Sequence, residues 1–266
     1  MIKLVASDMD GTLLDSQKRL PGDINEVVRG LKAKGVTFVV ASGRQYAALC
    51  RDFVDVAEDI AFIAENGALI VERDEVLFID ALPAQELSTI LDAAKALPGV
   101  YACVCGAQAS YCEETASEEF LNMMRLYYPS TKIVPDIMEA CGRRDDICKI
   151  AFYDGEGVVS RTLPALNEAL SDRYAVIHSS GEWVDVMKPG VDKGRAMRML
   201  MQLKGVRPEE CMAFGDYLND LQLLQSVGES YAMDNALEEI KAAAKYIAPG
   251  NDENGVVRVI RERFSL

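Results

Sequence analysis

The sequence predicts an α/β fold in which a parallel-sheet core is interrupted by a second, α+β domain. At both ends of the chain, short apolar segments rich in β-branched residues alternate with amphipathic helical segments. This alternation is typical of parallel strands joined by right-handed crossover helices. Between about residues 83 and 187, helices are interleaved with strands of antiparallel character. We therefore expect a discontinuous core, residues 1–82 and 188–266, and an inserted domain over 83–187.

The first part of the core begins with two strands and two helices. In chain order they are a strand at 2–7, a helix at 21–34, a strand at 36–42 and a helix at 45–57. Pro21 and Gly35 mark the ends of the first helix, because proline favours the first helical turn and glycine the position just past the last one. Residues 61–80 then form two β-rich runs around Glu65-Asn66-Gly67. Asn-Gly is a strong signal for a hairpin turn, so these runs are predicted to pair.

The inserted domain and the last part of the core show different patterns. Within the insert we predict helices at 84–97 and 117–127 and strands at 100–105, 109–113, 131–135, 148–153, 174–179 and 182–187. After Pro189-Gly190 we predict a helix at 192–204, a strand at 211–214, a helix at 219–226, a strand at 230–233, a helix at 236–244 and a strand at 245–248. Because the same alternation stands on both sides of the insert, the two outer parts are predicted to build one sheet.

Composition and charge exclude several classes of function. Of the 266 residues, 50% are hydrophobic and 26% are charged, as in globular proteins. The longest apolar runs, such as the one at 36–41, are too short to cross a bilayer. A net charge of −14 argues against a general nucleic-acid or anionic-membrane binder, which needs a basic surface. A small anionic partner still fits if cations are concentrated locally, and no particular oligomeric state is predicted.

The cysteines and the N-terminus predict a cytoplasmic protein. The seven cysteines are an odd number and form no Cys-x-x-Cys pair. This favours free thiols in a reducing compartment over a disulfide framework. The chain reaches its first strand at residue 2 without a basic and apolar leader, so no signal peptide is expected. Cys103, Cys105 and Cys112 could together hold a metal, but alternating cysteines on a strand are more often part of a packed core.

Asp8 and Asp10, in the stretch Asp-Met-Asp-Gly-Thr, follow directly after the first buried strand. Two unpaired anions there would lose hydration and repel each other, so their position requires a reason. A calcium-binding EF-hand loop fails, because its twelfth residue should be glutamate and here is Arg19. A plain turn with Asp8 as a helix cap is also weak, because no helical pattern starts at once.

A phosphoryl-transfer site explains both carboxylates. The carboxyl edge of a parallel sheet is where open α/β folds bind ligands. One carboxylate can attack phosphorus as a nucleophile, and a second, two residues on, can carry protons for the leaving and attacking oxygens. Two acids that face a phosphate need a divalent cation, and hard oxygen ligands select magnesium. Gly11 would let the chain turn sharply after them.

Three further groups are predicted near the same edge. Ser42-Gly43-Arg44 ends the second strand and offers a hydroxyl and backbone amides to a phosphate, although a helix cap explains Ser42 alone better. Lys193 could neutralise the transferring group, although an exposed helix lysine is the commoner case. Asp216, Asn219 and Asp220 follow an apolar strand, where they could ligate a metal or cap a helix.

Taken in order, four motifs resemble those of the haloacid dehalogenase superfamily, and specifically its Cof-type phosphatases with a large inserted cap domain. The motifs are DMDGTLLD at 8–15, VVASGR at 39–44, GVDKG at 190–194 and GDYLND at 215–220. The segments ENG, AMDNA and NGV also look like that family. The resemblance covers residues 1–82 and 188–266, whereas the insert is similar in length and pattern only.

The resemblance implies a Rossmann-like core with a cap domain over 83–187 that sets substrate specificity. It also implies a cytoplasmic, magnesium-dependent phosphatase, a phosphoric monoester hydrolase that works through an aspartyl-phosphate intermediate. The implied substrate is a small phosphorylated metabolite, such as a sugar phosphate, a nucleotide or a phosphorylated cofactor. Tyr217 and Asp234 depart from residues common in the family, which affects the substrate rim rather than a catalytic group. A phosphosugar mutase on the same core and a non-catalytic metabolite-binding protein are the alternatives.

The resemblance also implies roles for individual residues of the core. Asp8 is the expected nucleophile, Asp10 the general acid and base, and Lys193 the cation on the phosphoryl group. Mg²⁺ would be held by Asp8, the backbone carbonyl of Asp10, and Asp216. Asn219 and Asp220 are further expected to orient Lys193 or support the metal. The residues expected to bind phosphate or substrate are Ser42, Gly43, Arg44, Asn66 and Asn219, with Thr12 and Asp220 in support.

Overall fold

The computed structural model describes residues 1–128, 130–144 and 146–266. Contacts between residues divide the chain into two compact units. The first unit contains Met1–Phe78 and Asp192–Leu266, and the second contains Ile79–Val191. Within the described part of the chain, no helix is both long enough and apolar enough to cross a bilayer.

The helices and strands alternate along most of the chain. The N-terminal part contains β1 (Leu4–Ser7), α1 (Ile24–Ala33), β2 (Thr37–Ala41), α2 (Tyr46–Asp52), β3 (Ile60–Ala64), β4 (Leu69–Glu72) and β5 (Glu75–Ile79). The middle part contains α3 (Leu87–Asp92), β6 (Val100–Gly106), β7 (Ser110–Glu113), α4 (Glu118–Tyr127), β8 (Thr131–Val134), α5 (Ile137–Cys141), β9 (Ile147–Asp154), α6 (Leu163–Leu170), β10 (Ala175–Ser180) and β11 (Trp183–Met187). The C-terminal part contains α7 (Lys193–Lys204), β12 (Cys211–Gly215), α8 (Leu221–Gln225), β13 (Glu229–Met233), α9 (Glu238–Ala243), β14 (Tyr246–Ala248) and α10 (Gly255–Phe264).

The sheet of the first unit has eight strands in the order β14-β13-β12-β1-β2-β3-β4-β5. Pairing is parallel from β14 through β3, and β4 runs antiparallel to β3. In this register, Ser7 at the end of β1 lies opposite Val40 of β2 and Phe214 of β12. The chain segments that follow these three strands therefore leave the sheet at the same edge.

Burial explains why these segments form a core. All four residues of β1 and all five of β3 are buried, because a parallel sheet is covered on both faces. Helix α1 buries Ile24, Val27, Val28 and Leu31, which recur at the three- and four-residue spacing of one helix face. A helix with one apolar stripe covers one face of such a sheet.

The second unit has a six-stranded sheet in the order β10-β11-β9-β6-β7-β8, antiparallel except for the parallel pair β7 and β8. Cys103 and Cys105 of β6 pack in one cluster with Phe120 of α4, while Val104 packs in another with Leu166 of α6. The alternating cysteines thus fill a core. Among the described residues, the acidic or thiol groups close enough together to hold a metal ion are aspartates of the first unit.

The predicted fold class is confirmed, since a parallel-strand core sheet is combined with a second sheet. Residues 61–80 form three strands rather than two. The second turn is at Arg73-Asp74, where both residues have positive φ (53° and 60°) although neither is glycine. Three helices, α5, α6 and α10, were not predicted. The predicted helix at 84–97 is shorter, with a 3₁₀ turn at Ala84–Glu86 followed by α3.

Candidate active site

Asp8 lies directly after β1, and Lys193 is the first residue of α7. The side chain of Asp192 accepts a hydrogen bond from the Arg195 amide at 2.7 Å and so caps this helix. The fully buried Nζ of Lys193 lies 2.6 Å from Oδ1 of Asp8 and 2.6 Å from Oδ1 of Asp220. A buried ammonium group is thus held between two buried carboxylates, the pairing that burial of a charge requires.

Asp216 joins this group from the end of β12. The Thr12 hydroxyl donates a hydrogen bond of 2.6 Å to Oδ1 of Asp216. Gly11 lies close by, with a φ of +83°. A Cβ atom on Gly11 would lie 2.3 Å from Oδ2 of Asp216, so no larger residue fits without movement. Glycine is therefore needed here both for the turn and for the close approach of the Asp216 carboxylate.

Two carboxylates of this site, those of Asp8 and Asp216, have a raised pKa, mainly because they are buried. Burial raises the pKa of Asp8, and the charge of Asp220 adds to it, while Lys193 opposes both. Burial also raises the pKa of Asp216, to about 6, against the hydrogen bond from Thr12. For Lys193, burial lowers the pKa, but the charges of Asp220 and Asp8 outweigh it and raise the pKa. Three carboxylates face one lysine, so the site has an excess of negative charge and favours a cation.

These carboxylates fit a magnesium ion. One oxygen from each of Asp8, Asp216 and Asp220 lies within 4.8 Å of the other two. Both oxygens of Asp220 are engaged, Oδ1 by Lys193 and Oδ2 by the backbone amides of Asp216 and Tyr217 at 3.0 and 3.2 Å. Asp8 and Asp216 are thus the carboxylates better suited to ligate the ion, and Asp220 holds the lysine and the loop in place.

Ser42 is buried and lies directly after β2. Strand β2 is the neighbour of β1 in the sheet, and β1 is the strand that Asp8 follows. Its Oγ accepts a hydrogen bond of 3.2 Å from the Arg44 amide. Helix α2 begins only at Tyr46, with Gln45 as its N-cap residue. Ser42 is therefore not the cap of the helix, and its hydroxyl belongs to the loop between strand and helix.

The carboxylate of Asp10 is held by two cations. Nε and Nη2 of Arg44 donate to its two oxygens at 2.9 and 2.8 Å, and Nζ of Lys18 donates at 2.7 Å. Nη1 of Arg44 also donates to Asp52 at 3.1 Å. Burial alone would raise the pKa of Asp10, but Arg44 and Lys18 outweigh it and lower the pKa. Arg44, expected to bind phosphate or substrate, is thus paired with Asp10 and Asp52.

The side chains of Asn219 and Asn66 are hydrogen-bonded to each other, while Lys193 is held by the neighbour of Asn219, Asp220. Nδ2 of Asn219 donates to Oδ1 of Asn66 at 3.4 Å. The backbone amide of Asn66 donates to the backbone carbonyl of Ser42 at 3.0 Å. These two asparagines therefore link the loop after β12 to the loop after β2.

Several residues of the site were missed by sequence reasoning. Lys18 and Asp52 were not predicted to interact with Asp10 and Arg44. Nδ2 of Asn235 donates to the carbonyl of Gly11 at 2.8 Å, and Nδ2 of Asn251 donates to the carbonyl of Leu14 at 2.9 Å. The only sequence signal for Asn235 was its place in AMDNA, a segment that resembles the family without an assigned role.

Residues 5–260 match the sequence model of one family, described as haloacid dehalogenase-like hydrolase. The chain belongs to this family. A curated relative, the 5-amino-6-(5-phospho-D-ribitylamino)uracil phosphatase YbjI of Escherichia coli, is 34% identical over 264 residues, which cover 97% of this chain and 95% of the relative. A crystal structure of a protein from Eubacterium rectale has a TM-score of 0.88 and 28% identity, and the match covers 98% of this chain and 99% of that chain.

A second solved structure supports the fold alone. The haloacid dehalogenase-like hydrolase from Bacteroides thetaiotaomicron has a TM-score of 0.87 at 24% identity, covering 99% of this chain and all of that chain. As a haloacid dehalogenase-like hydrolase with named phosphatases as relatives, the chain is a phosphoric monoester hydrolase for a small phosphorylated substrate. The predicted family and enzyme class are confirmed, and the alternative of a non-catalytic binding protein is set aside.

Proposed function

We propose that this phosphatase hydrolyses a small phosphorylated metabolite through an aspartyl-phosphate on Asp8, with Mg²⁺ bound between Asp8 and Asp216. The observation that carries the proposal is the buried ion pair of Lys193 with Asp8 and Asp220 at the carboxyl edge of the sheet. A nucleophilic carboxylate must be held next to positive charge when an anionic phosphoryl group approaches. Lys193 supplies a fixed positive charge at that point, 2.6 Å from Oδ1 of Asp8.

The reaction proceeds in two steps. In the first, a carboxylate oxygen of Asp8 attacks phosphorus, the bond from phosphorus to the leaving oxygen breaks, and Asp10 gives that oxygen a proton. In the second, water attacks phosphorus, gives a proton to Asp10, and the Asp8 carboxylate leaves. Bound Mg²⁺ would supply positive charge that offsets repulsion between the phosphoryl group and the aspartates. Ser42, through its hydroxyl, and the amide of Gly43 are proposed to bind the phosphoryl oxygens.

Several finer points belong to the same proposal. The relative from Escherichia coli is named for a ribitylaminouracil phosphate, which makes a phosphorylated small molecule of that kind one candidate substrate here. Residues 83–187 are proposed to act as the cap domain that selects the substrate. All seven cysteines lie among the described residues, and each carries a thiol rather than a disulfide, which supports the proposed cytoplasmic location.

Replacement of Asp8 tests the covalent route. Asp8→Asn keeps the shape of the side chain but removes the attacking charge. We expect the release of phosphate from an aryl phosphate to fall by about a thousandfold or more, as when a covalent catalytic group is lost. Excess chelator should abolish the wild-type rate, and added Mg²⁺ should restore it. An Asp8→Asn variant with a tenth of the wild-type rate would rule out this nucleophile.

Asp59→Asn is the matched control. Asp59 also pairs with a lysine, Lys32, but it lies just before β3, at the opposite end of the strands from Asp8. This variant should keep the wild-type rate.

The mutase alternative makes a different prediction, because a mutase would need a sugar bisphosphate and would transfer the phosphoryl group rather than release it. Phosphate release from a monophosphate without bisphosphate therefore favours the hydrolase.

A further inference from the structure

The segment Glu65–Gly67 has an unusual backbone conformation. Its three residues have φ values of 51°, 55° and 104°. Residues other than glycine rarely adopt positive φ, and two of them in succession mark strained backbone. All three residues are also buried. Such strain persists only where the surrounding structure fixes it, and it is concentrated at functional sites.

The backbone of this segment holds the loop after β2. The amide of Glu65 donates to the carbonyl of Arg44 at 3.1 Å, and the amide of Asn66 donates to the carbonyl of Ser42 at 3.0 Å. The amide of Ser42 donates in turn to the carbonyl of Ile63 at 2.8 Å. The loop that carries Ser42 and Arg44 is therefore hydrogen-bonded along its length to Glu65–Gly67 and the strand before it.

The side chain of Asn66 lies between two loops of the site. Its Oδ1 accepts a hydrogen bond of 3.4 Å from Asn219. The same oxygen would lie 2.8 Å from a Cβ atom on Gly43, and Nδ2 would lie 3.1 Å from it. Gly43 therefore must lack a side chain for the Asn66 amide to occupy this place.

Gly67 contacts the start of the helix that carries Lys193. A Cβ atom on Gly67 would lie 2.3 Å from the carbonyl oxygen of Asp192 and 3.1 Å from the amide nitrogen of Lys193. The backbone of the segment thus packs directly against the first turn of α7. Lys193 reaches Asp8 from that turn, so its position depends on this contact.

We propose that Asn66 is a positioning residue, which fixes the loop after β2, the start of α7 and the loop after β12 relative to one another. The strained backbone brings Gly67 against α7, while the Asn66 amide spans from Gly43 to Asn219. Strain is maintained here because the groups that meet the phosphoryl oxygens must be held in one arrangement. The inference rests on the proposed function, since it concerns the same site.

Asn66→Gly separates positioning from folding. Glycine adopts positive φ without strain, so this variant relieves the backbone while it removes the amide. We expect the Tm to equal or exceed that of the wild type, while kcat falls by about tenfold to a hundredfold, the effect of a small misplacement of reacting groups. A merely structural residue would show the opposite, a lower Tm with kcat per folded molecule unchanged.

Asn254→Gly is the matched control. Asn254 has the same φ of 55°, but its side chain is exposed and lies outside the proposed site. This variant should gain the same relief of strain and keep the wild-type kcat.

The outcomes distinguish this inference from the proposed function. If Asn66→Gly keeps kcat within twofold of the wild type, or has a Tm well below it, the positioning role is overturned. If Asp8→Asn loses its activity in the same assay while Asn66→Gly does not, the inference alone fails. If Asp8→Asn stays active, the proposed function fails first.

Discussion

The side chains around Asp10 determine whether its carboxylate is protonated. The guanidinium group of Arg44 donates to both carboxylate oxygens of Asp10. Lys18, eight residues after Asp10, donates to one of the same oxygens. Both cations lower the pKa of Asp10 and keep it ionised near neutral pH. An ionised Asp10 is ready to accept a proton from water, as the second step requires. To donate a proton in the first step, Asp10 must carry the proton that it took from water in the preceding turnover or from solvent. It can keep that proton only if it loses part of this pairing when substrate arrives.

The leaving group therefore decides how much Asp10 contributes. In Asp10→Asn, an alkyl phosphate should react about a hundredfold to ten-thousandfold more slowly, because an alkoxide leaves poorly without a proton. An aryl phosphate should lose much less, since its leaving group departs without help. The measurement is kcat/KM for one alkyl and one aryl phosphate with each protein. Equal losses on both would assign Asp10 another role, such as holding Arg44.

His178→Asn provides the control for this experiment. His178 is the only histidine of the chain, and it lies exposed on β10 in the second unit, with Nε2 2.9 Å from the carbonyl oxygen of Gly181. Its replacement should leave both rates unchanged. A loss with His178→Asn on the alkyl phosphate alone would point to histidine as the acid instead.

At the residue scale, the sequence predicts which side chains come together better than it predicts their partners. Asp8 and Asp216 converge because the ends of parallel strands share one edge, and that edge follows from the alternation of strands and helices. Lys193 reaches Asp8 from the first turn of α7. The pairing of Arg44 with Asp10 was not predicted. A long arginine side chain reaches several neighbours, and the neighbour it meets depends on loop conformation that has no pattern in the sequence.

At the scale of elements, Asp154 organises the end of β9. Its Oδ1 accepts hydrogen bonds from the amides of Glu156 and Gly157, both at 3.0 Å, and from Nη2 of Arg161 at 2.7 Å. Its Oδ2 accepts from the Thr162 hydroxyl at 2.6 Å. These donors belong to the turn and to the π-helical segment that leads into α6. One buried carboxylate thus joins the strand to the following helix.

The stability of the second unit should depend on the charge of Asp154. Burial alone would raise the pKa of Asp154, but the hydrogen bonds from Thr162, Glu156, Arg161 and Gly157 lower it to about 2. Asp154→Asn should lower the free energy of unfolding by about 2 kcal/mol at pH 7, the scale of hydrogen bonds to a charged group. A lowered pKa stabilises the fold above the ordinary value of 3.8. The difference between the two proteins should therefore shrink as the pH falls from about 4 to about 2.

Trp183 makes this measurable, because it is the only tryptophan of the chain and lies on β11 beside β9. Its fluorescence reports the unfolding of the second unit in denaturant. Asp136→Asn is the matched control, since Asp136 caps α5 by accepting one hydrogen bond of 2.8 Å from the Glu139 amide. Asparagine caps a helix as well as aspartate, so this variant should unfold like the wild type. Equal stability of Asp154→Asn and the wild type at pH 7 would contradict the role of the charge.

Helices and strands were predictable where the hydrophobic pattern extends over a long segment. They were missed where the segment is short or its pattern is irregular. Helix α5 has only five residues, and α6 follows a π-helical segment that has no regular spacing. Helix α10 begins at Gly255 after a residue with positive φ, a combination typical of a turn. The Arg73-Asp74 turn was not predicted because it lacks the glycine that usually marks a turn with positive φ.

At the scale of the whole molecule, the proposed chemistry and the proposed selectivity belong to different units. Asp8, Asp10, Ser42, Lys193 and Asp216 all lie in the first unit, within Met1–Phe78 and Asp192–Leu266. The second unit has its own sheet and its own packed clusters. Near the two points where the chain enters and leaves that unit, Asp80 pairs with Lys188. The entering and leaving segments are therefore side by side at this point, and we expect that a short linker can replace the unit.

A variant in which a short flexible linker joins residue 78 to residue 192 should separate binding of the phosphoryl group from choice of the substrate. It should still bind Mg²⁺ and beryllofluoride, a mimic of the aspartyl-phosphate, because the proposed ligands are all in the first unit. It should also hydrolyse a generic aryl phosphate, since that leaving group needs no enclosed site. Differences in kcat/KM among phosphorylated metabolites should largely disappear, because nothing else would select the leaving group. Asp8→Asn in the same shortened chain is the control, and it should bind no beryllofluoride. If the shortened protein is folded and ranks the metabolites as the full chain does, then selectivity belongs to the loops of the first unit, where Tyr217 is exposed beside Asp216.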